Sequence, residues 1–501
     1  VNLPARTSTP PPDAPLAVHT LGVPRLTAGF DIASRLDLAT HHSVHGTLPL
    51  LPAAEVETLA ESIDLRGRGG AAFPFARKLR AVATAARARS CRTAVVVNGC
   101  EGEPACRKDT ALLTRSPHLV LDGALLVAEA LGAERLIVAV TRDPLEASVR
   151  AALEERGLDD RRGRTLRAQV LRMPERFVSG EASSIIRGAN DEVPLPAGRR
   201  THASESGVDG LPTLLSNTET YAQLAVAARL GAARYAHAGT PEEPGTVLLT
   251  VTGSVPRPML VEVPSGVPLS YVLHACGSGI GQGVLVGGYH GGWLDPSAAS
   301  VAAVSRAGMN AHGATLGAGG VAPLSPELCP LGETLRVAQW LAAESAAQCG
   351  PCRLGLPSVA AALSEVLGGG GQAALEALRR VAQTVRRRGA CSHPDGTSRF
   401  VRSALAVFTD DLAAHVLGGG CGRPVTGVLP LPREEPTEQL MVDWTLCDGH
   451  GLCADILPEV IRLDPDGYPA LANMALPAHL KTQALRAIRR CPALALRLEE
   501  H

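Results

Sequence analysis

Three things are scarce in this sequence. Lysine occurs only at Lys78, Lys108 and Lys481, and arginine fills every other basic position. That pattern reads as coding bias, yet it makes each lysine a position to inspect. An excess of either charge is also missing. A formal net charge of −1 removes the electrostatic case for nucleic acid or an anionic membrane surface. Long apolar runs are absent too, since the best stretch, Leu119 to Val140, is broken by Asp122, Glu129, Glu134 and Arg135. No bilayer-spanning segment is therefore expected. The N-terminus is rich in Pro and Thr, without the charged-then-apolar order of a signal peptide. Residues 1–25 are expected to form a disordered leader, and a cytoplasmic location is expected for the chain.

Cysteine is present but not in the manner of a disulfide scaffold. Twelve cysteines are few for 501 residues, and seven of them fall between Cys349 and Cys491. Such clustering favours metal ligation. A chain of this length holds roughly two to four domains. Thr93 to Val97 reads as a strand, Leu119 to Leu131 as a helix, Arg135 to Val140 as a strand and Leu145 to Arg156 as a helix. This alternation predicts an α/β domain with a parallel sheet over 26–240. The pattern then turns to alternating strands (VLLTVTGSV, MLVEVPSG), which predicts a small α+β module with its connector over 241–325. Helical periodicity follows in four segments, Glu333–Ser345, Pro357–Leu367, Gln372–Arg387 and Ser398–Val416. They predict a four-helix bundle over 326–417. Residues 418–439 read as a Gly- and Pro-rich linker, and 440–501 as a separate small α+β unit.

The strongest motif lies in that last unit: Cys447-x2-His450-x2-Cys453, followed far downstream by Cys491-Pro492. Thiolates close together on a tight loop hold successive corners of a cubane, and a remote Cys-Pro closes it. His450 occupies the middle position, so three thiolates remain. They suit a 3Fe–4S cluster; alternatively His450 ligates a fourth iron and the cluster is 4Fe–4S. Three buried cysteines sharing a small domain by chance is the bland alternative. The Cys-Pro and the acidic pair Asp464 and Asp466 argue against it. The tail resembles single-cluster bacterial ferredoxins, a resemblance that implies one-electron carriage to partners such as cytochromes P450.

A second signal begins at Leu65-Arg-Gly-Arg-Gly-Gly-Ala-Ala-Phe-Pro74, with Gly67, Gly69 and Gly70. The preceding Glu55 to Ile63 is helical in pattern, so this is not the dinucleotide fingerprint. Glycines here let backbone N–H groups approach a phosphate, and Arg66, Arg68 and Lys78 add positive charge. An ordinary surface turn explains the loop equally well when it is taken alone. Val95-Val-Val-Asn-Gly-Cys-Glu-Gly-Glu-Pro104 places Asn98, Glu101 and Glu103 just beyond a strand's C-terminal end, where open α/β sheets bind ligands. Phe177-Val-Ser-Gly-Glu181 and Leu215-Ser-Asn-Thr-Glu-Thr220 complete the set.

In this order, with the later cysteines, these motifs resemble the NADH- and FMN-binding flavoprotein subunit of respiratory complex I. Flavin subunits of related hydrogenases and formate dehydrogenases share the likeness, which covers roughly residues 50–417. The resemblance implies an FMN-binding α/β domain, a ubiquitin-like β-grasp module near 245–295 and a four-helix bundle holding a 4Fe–4S cluster. It further implies that the loop of Gly67, Arg68, Gly69 and Gly70, with Lys78, wraps the FMN phosphate. Asn98, Glu101, Ser216, Asn217 and Thr218 would line the flavin, Ser216 standing where the family has Asn. Phe73 and Glu103 would lie toward the dinucleotide, with Gly180 and Glu181.

Departures fall mostly on the dinucleotide side. Cys100 replaces an acidic residue, Ala182 a second Glu, His202 a Phe that stacks on adenine, and Arg199 a Lys. In the bundle Ala346 stands at the first cluster position, leaving Cys349, Cys352 and Cys391. A cluster there would recruit Ser345 or His393, be 3Fe–4S, or be absent. Cys91, Cys100, Cys106, Cys276, Cys329 and Cys421 lack ligand spacing and read as packing residues. The expected function is an NADH dehydrogenase-type oxidoreductase. It would pass electrons from NAD(H) or NADP(H) via FMN to iron–sulfur clusters and the fused ferredoxin, with no catalytic acid or base. Its partner would be a P450, a membrane-bound reductase or a respiratory component. The alternative is a non-catalytic relay or assembly subunit that has lost dinucleotide binding.

Overall fold

The computed structural model describes residues 16–158, 166–198, 202–432, 438–458, 460–471, 476 and 480–500. The chain divides into two compact units, one ending at Leu431 and the other beginning at Pro432.

The first unit contains a four-stranded, wholly parallel sheet. Its spatial order is Arg167–Arg172, Ala133–Val140, Thr93–Gly99 and Thr213–Asn217. The β-branched run Thr-Ala-Val-Val-Val extends naturally and is buried along its length because helices cover both faces. Alternate residues serve the two faces. Val95, Val97, Leu136, Val138 and Leu214 enter the core shared with the helices Pro117–Leu131 and Thr218–Tyr235. Ala94, Val96, Ile137, Ala139 and Leu215 face the opposite layer with Met173 and Ile185.

Chain order makes a crevice in this sheet. From Thr93–Gly99 the chain steps outward twice, to Ala133–Val140 and then Arg167–Arg172. It afterwards returns to the other side of Thr93–Gly99 with Thr213–Asn217. Asn98 and Asn217 lie opposite each other in register at this reversal. Such a switch point is where open α/β sheets accept ligands.

Helix Pro117–Leu131 starts on a proline at its first position and ends at Gly132, whose φ of 60° closes the last turn. Its apolarity reflects burial within the fold. No single helix among the described residues is long and apolar enough to cross a membrane. Asp122, the charge that interrupts this run, is buried against His41 at 2.7 Å, Arg156 at 2.6 Å and Arg229. Burial alone would raise its carboxyl. The His41 hydrogen bond and the two guanidinium groups outweigh that and hold it below the usual carboxylate range.

A mixed six-stranded sheet follows, in the order Ala17–Thr20, Met259–Pro264, Thr246–Val251, Gly320–Leu324, Gly283–Val286 and Gly292–Leu294. Its first strand corrects the expected leader. Ala17–Thr20 pairs in parallel with Met259–Pro264, and Arg25, Leu26 and Thr27 give their backbone N–H groups to the buried Glu262 carboxylate. The remainder of the expected leader, 1–15, lies outside the described residues.

Helices Pro330–Ala343, Leu356–Leu367, Gly371–Thr384, His393–Val407 and Thr409–Gly418 pack around Val337, Leu341, Leu363, Leu378 and Phe400. The fourth expected segment is thus two helices, broken at Phe408, whose φ of −98° and ψ of 57° leave the helical region. The expected linker also differs from the structure. Its first part is docked, because Glu333 accepts the N–H groups of Thr426 at 2.8 Å and Gly427 at 2.7 Å. The Tyr289 hydroxyl donates to the Pro430 carbonyl. Residues 433–437 lie outside the described residues.

In the second unit, Glu438–Val442 pairs antiparallel with Leu496–Glu500, and Ile461–Leu463 with Pro469–Leu471. Helices Leu452–Ile456 and Lys481–Arg490 enclose a small core of Leu440, Leu457, Ile461, Ala484 and Leu496. Asp464 accepts the N–H groups of Asp466 and Tyr468, so its work is to close the hairpin turn.

Candidate functional site

The glycine-rich loop closes on itself. Gly67 N–H donates to the Phe73 carbonyl at 3.0 Å, and Arg66 bridges Pro74. The turn feeds directly into helix Phe75–Arg89. Gly70 has a φ of 107°, which L side chains avoid. Gly67 is not required by the fold, since a Cβ there would meet nothing nearer than 3.8 Å, and its bareness leaves room above the loop. Arg68 donates its N–H to Thr220 Oγ1 at 3.0 Å, while its buried Nε has no hydrogen-bond partner among the described residues and stands 4.0 Å from the Glu219 carboxylate.

Lys78 stands in the first turn of that helix. Its Nζ donates to the Leu215 carbonyl at 2.7 Å, and burial lowers its pKa. No carboxylate pairs with it among the described residues. A buried ammonium beside a helix N-terminus and a glycine loop is the chemistry of an anion site. Lys108 is the contrast. It is fully buried but bonded to Asp109 and Asn217, each at 2.9 Å, and to Glu219 at 3.2 Å. Burial would lower its pKa, and these neighbours raise it instead. The network pins Asn217 under the switch point, and among its members only Asn217 stands out in the sequence as a site residue. The rarity of lysine was the one available signal.

Asn98 donates to the Gly180 carbonyl at 2.8 Å and accepts Cys100 N–H at 3.1 Å, while Thr218 Oγ1 donates to the Asn98 carbonyl at 3.0 Å. The loops 98–103 and 176–181 therefore lie backbone against backbone. A Cβ on Gly180 would sit 2.6 Å from the Cys100 carbonyl oxygen, and one on Gly102 2.6 Å from that of Arg176. Glu101 accepts the N–H groups of Asp109 and Thr110, anchoring helix Lys108–Arg115. Burial raises its pKa, and so does the neighbouring Asp109. Ser216 is buried beside Asn217 and Thr218.

On the other side, Glu103 accepts Ala105 N–H at 3.2 Å and Tyr289 N–H at 2.6 Å, and burial pushes it up to about 7. Glu181 caps helix Ala182–Ala189 through Ser183 and Ser184 N–H. Phe73 is 45% exposed with the Arg77 guanidinium over its ring. Ala182 and His202 are exposed, and Arg199 lies outside the described residues.

The loop 176–181 is also tied to the cysteine loop of the helical region. Phe177 N–H donates to Glu344 at 2.8 Å, and Arg176 donates to the Ser345 carbonyl at 3.0 Å. Cys352 lies on the wide turn Pro351–Gly355. Burial pushes its thiol up to about 12, with Cys349 and Cys391 adding to the shift. Cys391 is raised by burial and, further, by Glu181. The three thiols are thus near enough to influence one another, and Glu181 of the 176–181 loop influences Cys391. His393 is not free to join them. Its ring bonds the Leu341 carbonyl at 2.8 Å and His290 at 3.0 Å, and burial holds it down to about 4.

In the second unit Cys447, Cys453, Cys491 and His450 line a single cavity with Asp448 and Pro492. Burial raises the Cys453 thiol, and Cys447 and Cys491 raise it further. Gly449 and Gly451, with φ of 69° and 72°, let the loop curl around this space. A third group, Cys329, His415 and Cys421, has its ligand atoms within 4.8 Å of one another. Beside the sequence expectation that Cys329 and Cys421 pack, the fold sets a second possibility, a group with the geometry of a metal site. Cys329 stands far from the other two in sequence, and that separation hid the group.

A parallel α/β sheet with an anion-binding glycine loop at its switch point, then two cysteine-lined sites, defines a flavin and iron–sulfur electron-transfer class. Residues 60–226 match the Nuo51 FMN-binding domain. Residues 333–415 match the NADH-ubiquinone oxidoreductase-F iron-sulfur binding region, and 440–498 a 4Fe-4S single cluster domain. Among curated relatives, the F 2 subunit of NADH-quinone oxidoreductase from Rhizobium meliloti is 27% identical over 72% of this chain and 89% of its own length. The HndC subunit of the NADP-reducing hydrogenase from Solidesulfovibrio fructosivorans is 26% identical, covering 81% and 83%. The crystal structure of an NAD+-reducing NiFe hydrogenase in its air-oxidised state superposes with a TM-score of 0.68 at 26% identity, covering 80% of this chain and 68% of that one. The chain is a homologue of the NADH-quinone oxidoreductase F subunits and of hydrogenase flavin subunits, with a single-cluster domain at its C-terminal end.

Proposed function

We propose that the chain is an NAD(P)H-dependent electron-transfer oxidoreductase, passing electrons through FMN to iron–sulfur clusters and its own ferredoxin-like unit. The observation that carries this reading is the hydrogen-bonded junction of loops. Loop 98–103 abuts 176–181, which is bonded to 344–345 beside the Cys349, Cys352 and Cys391 sulfurs. A flavin held at the switch point would thus adjoin the next redox site.

Bound FMN supplies hydride acceptance and release of single electrons, and bound clusters supply one-electron carriage. The chain's own residues do the rest. Gly67 and Gly70 leave room for the phosphate, and Lys78 and Arg68 neutralise it. Gly69 continues the loop, and Asn98, Glu101, Ser216, Asn217 and Thr218 shape the floor of the flavin site. Phe73, Glu103, Gly180 and Glu181 border the dinucleotide. We read the mixed sheet as the family's β-grasp module and the helical region as its four-helix bundle, with the last helix broken. Cys349, Cys352 and Cys391 would hold one cluster and Cys447, Cys453 and Cys491 another, with His450 at the fourth corner. We place the protein in the cytoplasm, peripheral to a redox complex. The relatives named above are subunits of such assemblies and do not point to a P450.

A second reading is favoured by the exposed His202 and Ala182. In it the chain is a relay that has lost dinucleotide binding. A dinucleotide titration separates the two: micromolar affinity supports the oxidoreductase, and no binding supports the relay.

A further inference from the structure

Cys329 lies more than eighty residues before His415 and Cys421, which flank the end of helix Thr409–Gly418, yet their ligand atoms lie within 4.8 Å of one another. Cys329 Sγ is 3.4 Å from His415 Nε2. A tetrahedral zinc ion with Zn–S near 2.3 Å and Zn–N near 2.05 Å sets a sulfur–nitrogen separation of about 3.6 Å. The spacing therefore suits one ion and is too tight for a cluster. Two thiolates and an imidazole are the borderline-soft donors that favour zinc over magnesium or calcium. Two thiolate charges also cancel a divalent cation, which matters where Cys329 is 2% and His415 7% exposed.

The carriers of these side chains are fixed independently of any ion. Cys329 N–H donates to the Pro424 carbonyl at 2.9 Å. Arg423 pairs with Asp411, one turn before His415, and donates to Gln282 at 3.0 Å and the Pro326 carbonyl at 2.8 Å. Cys329 Sγ accepts Gly332 N–H at 3.2 Å at the start of helix Pro330–Ala343. His415 Nδ1 is buried without a hydrogen-bond partner among the described residues, so no such bond orients that side of the ring. Simple packing accounts for one buried cysteine. It gives no reason for an imidazole and a second sulfur to converge on it.

We propose that Cys329, His415 and Cys421 bind one zinc ion, with water in the fourth position on the half-exposed Cys421 side. The ion staples the segment 421–431 to the helix Pro330–Ala343. Binding releases the two thiol protons to solvent, without redox change. The site shares no residue with the flavin site or with either cysteine trio, so it stands or falls apart from the redox reading.

The test is metal analysis of the full chain purified anaerobically with its iron loaded. One zinc per chain is expected beyond the iron, lost in Cys421→Ser and in His415→Ala with flavin and iron contents unchanged. It should persist in Cys447→Ser, which separates it from zinc misplaced in the ferredoxin-like site. Cobalt substitution should give a thiolate-to-metal charge-transfer band in the parent and none in Cys421→Ser. Absence of any metal besides iron would overturn the proposal. So would a zinc content indifferent to both substitutions, or a Cys329–Cys421 disulfide in the anaerobic protein.

Discussion

At the scale of single residues, two buried lysines show how neighbours decide role. Lys108 is surrounded by Asp109, Asn217 and Glu219 and is structural. Lys78 has a carbonyl and no carboxylate among the described residues, which leaves it available to an anion. Lys78→Met should therefore weaken FMN binding roughly tenfold or more, a charged hydrogen bond being worth about 1.5–3 kcal/mol. Flavin retained through gel filtration reports this, and unchanged retention would remove Lys78 from the phosphate site. From sequence, the glycines, Asn98 and Thr218 read as one set, and the fold gathers them near the switch point. The partners of Glu101 and Glu103 were not legible, since they are backbone N–H groups, which carry no side-chain signal, and one of them, Tyr289 N–H, lies far along the chain.

At the scale of elements, the strands and helices of the parallel sheet were legible because apolar period and turn residues agreed there. The break at Phe408 was not, because helical periodicity runs straight through it. The strand Ala17–Thr20 was hidden for another reason: four residues carry little pattern, and their order comes from pairing with Met259–Pro264. Asp122 in helix Pro117–Leu131 reads in sequence as an interruption, whereas in the fold it is the centre of an ionic cluster. Asp122→Asn would leave Arg156 and Arg229 without their carboxylate and should destabilise the first unit by about 3–5 kcal/mol. A denaturant midpoint within error of the parent would contradict this. The same region sets an acid limit. Burial holds His45 and His118 down to about 4, so below about pH 6.5 these two side chains bind more protons in the unfolded chain than in the folded one, outnumbering the opposite contribution of Glu103, which burial pushes up to about 7. Asp122 has a depressed pKa, so its contribution holds above about pH 4 and is lost only as pH falls through its folded value. The denaturation midpoint should already be lower at pH 5 than at pH 7; equal midpoints would exclude buried neutral histidines.

At the scale of the whole molecule, the order of motifs along the sequence matched the order of units, but the boundary moved. Residues 421–431 belong to the first unit through Glu333, Arg423 and Tyr289. Composition suggested a free linker because Gly and Pro also suit a docked, extended strap. The two units carry separate cysteine trios, so their cofactors should be separable. Cys491→Ser should remove one iron–sulfur EPR signal and leave flavin content and the other signal in place. Loss of both would mean the sites are not independent.

The central claim is that nicotinamide reduces this chain's flavin and that electrons then reach its clusters. Anaerobic stopped-flow absorbance of the full chain mixed with NADH, and separately with NADPH, tests it most directly. The account predicts flavin bleaching with at least one of them, followed by loss of iron–sulfur absorbance. A flavin-loaded protein that bleaches with neither would contradict it.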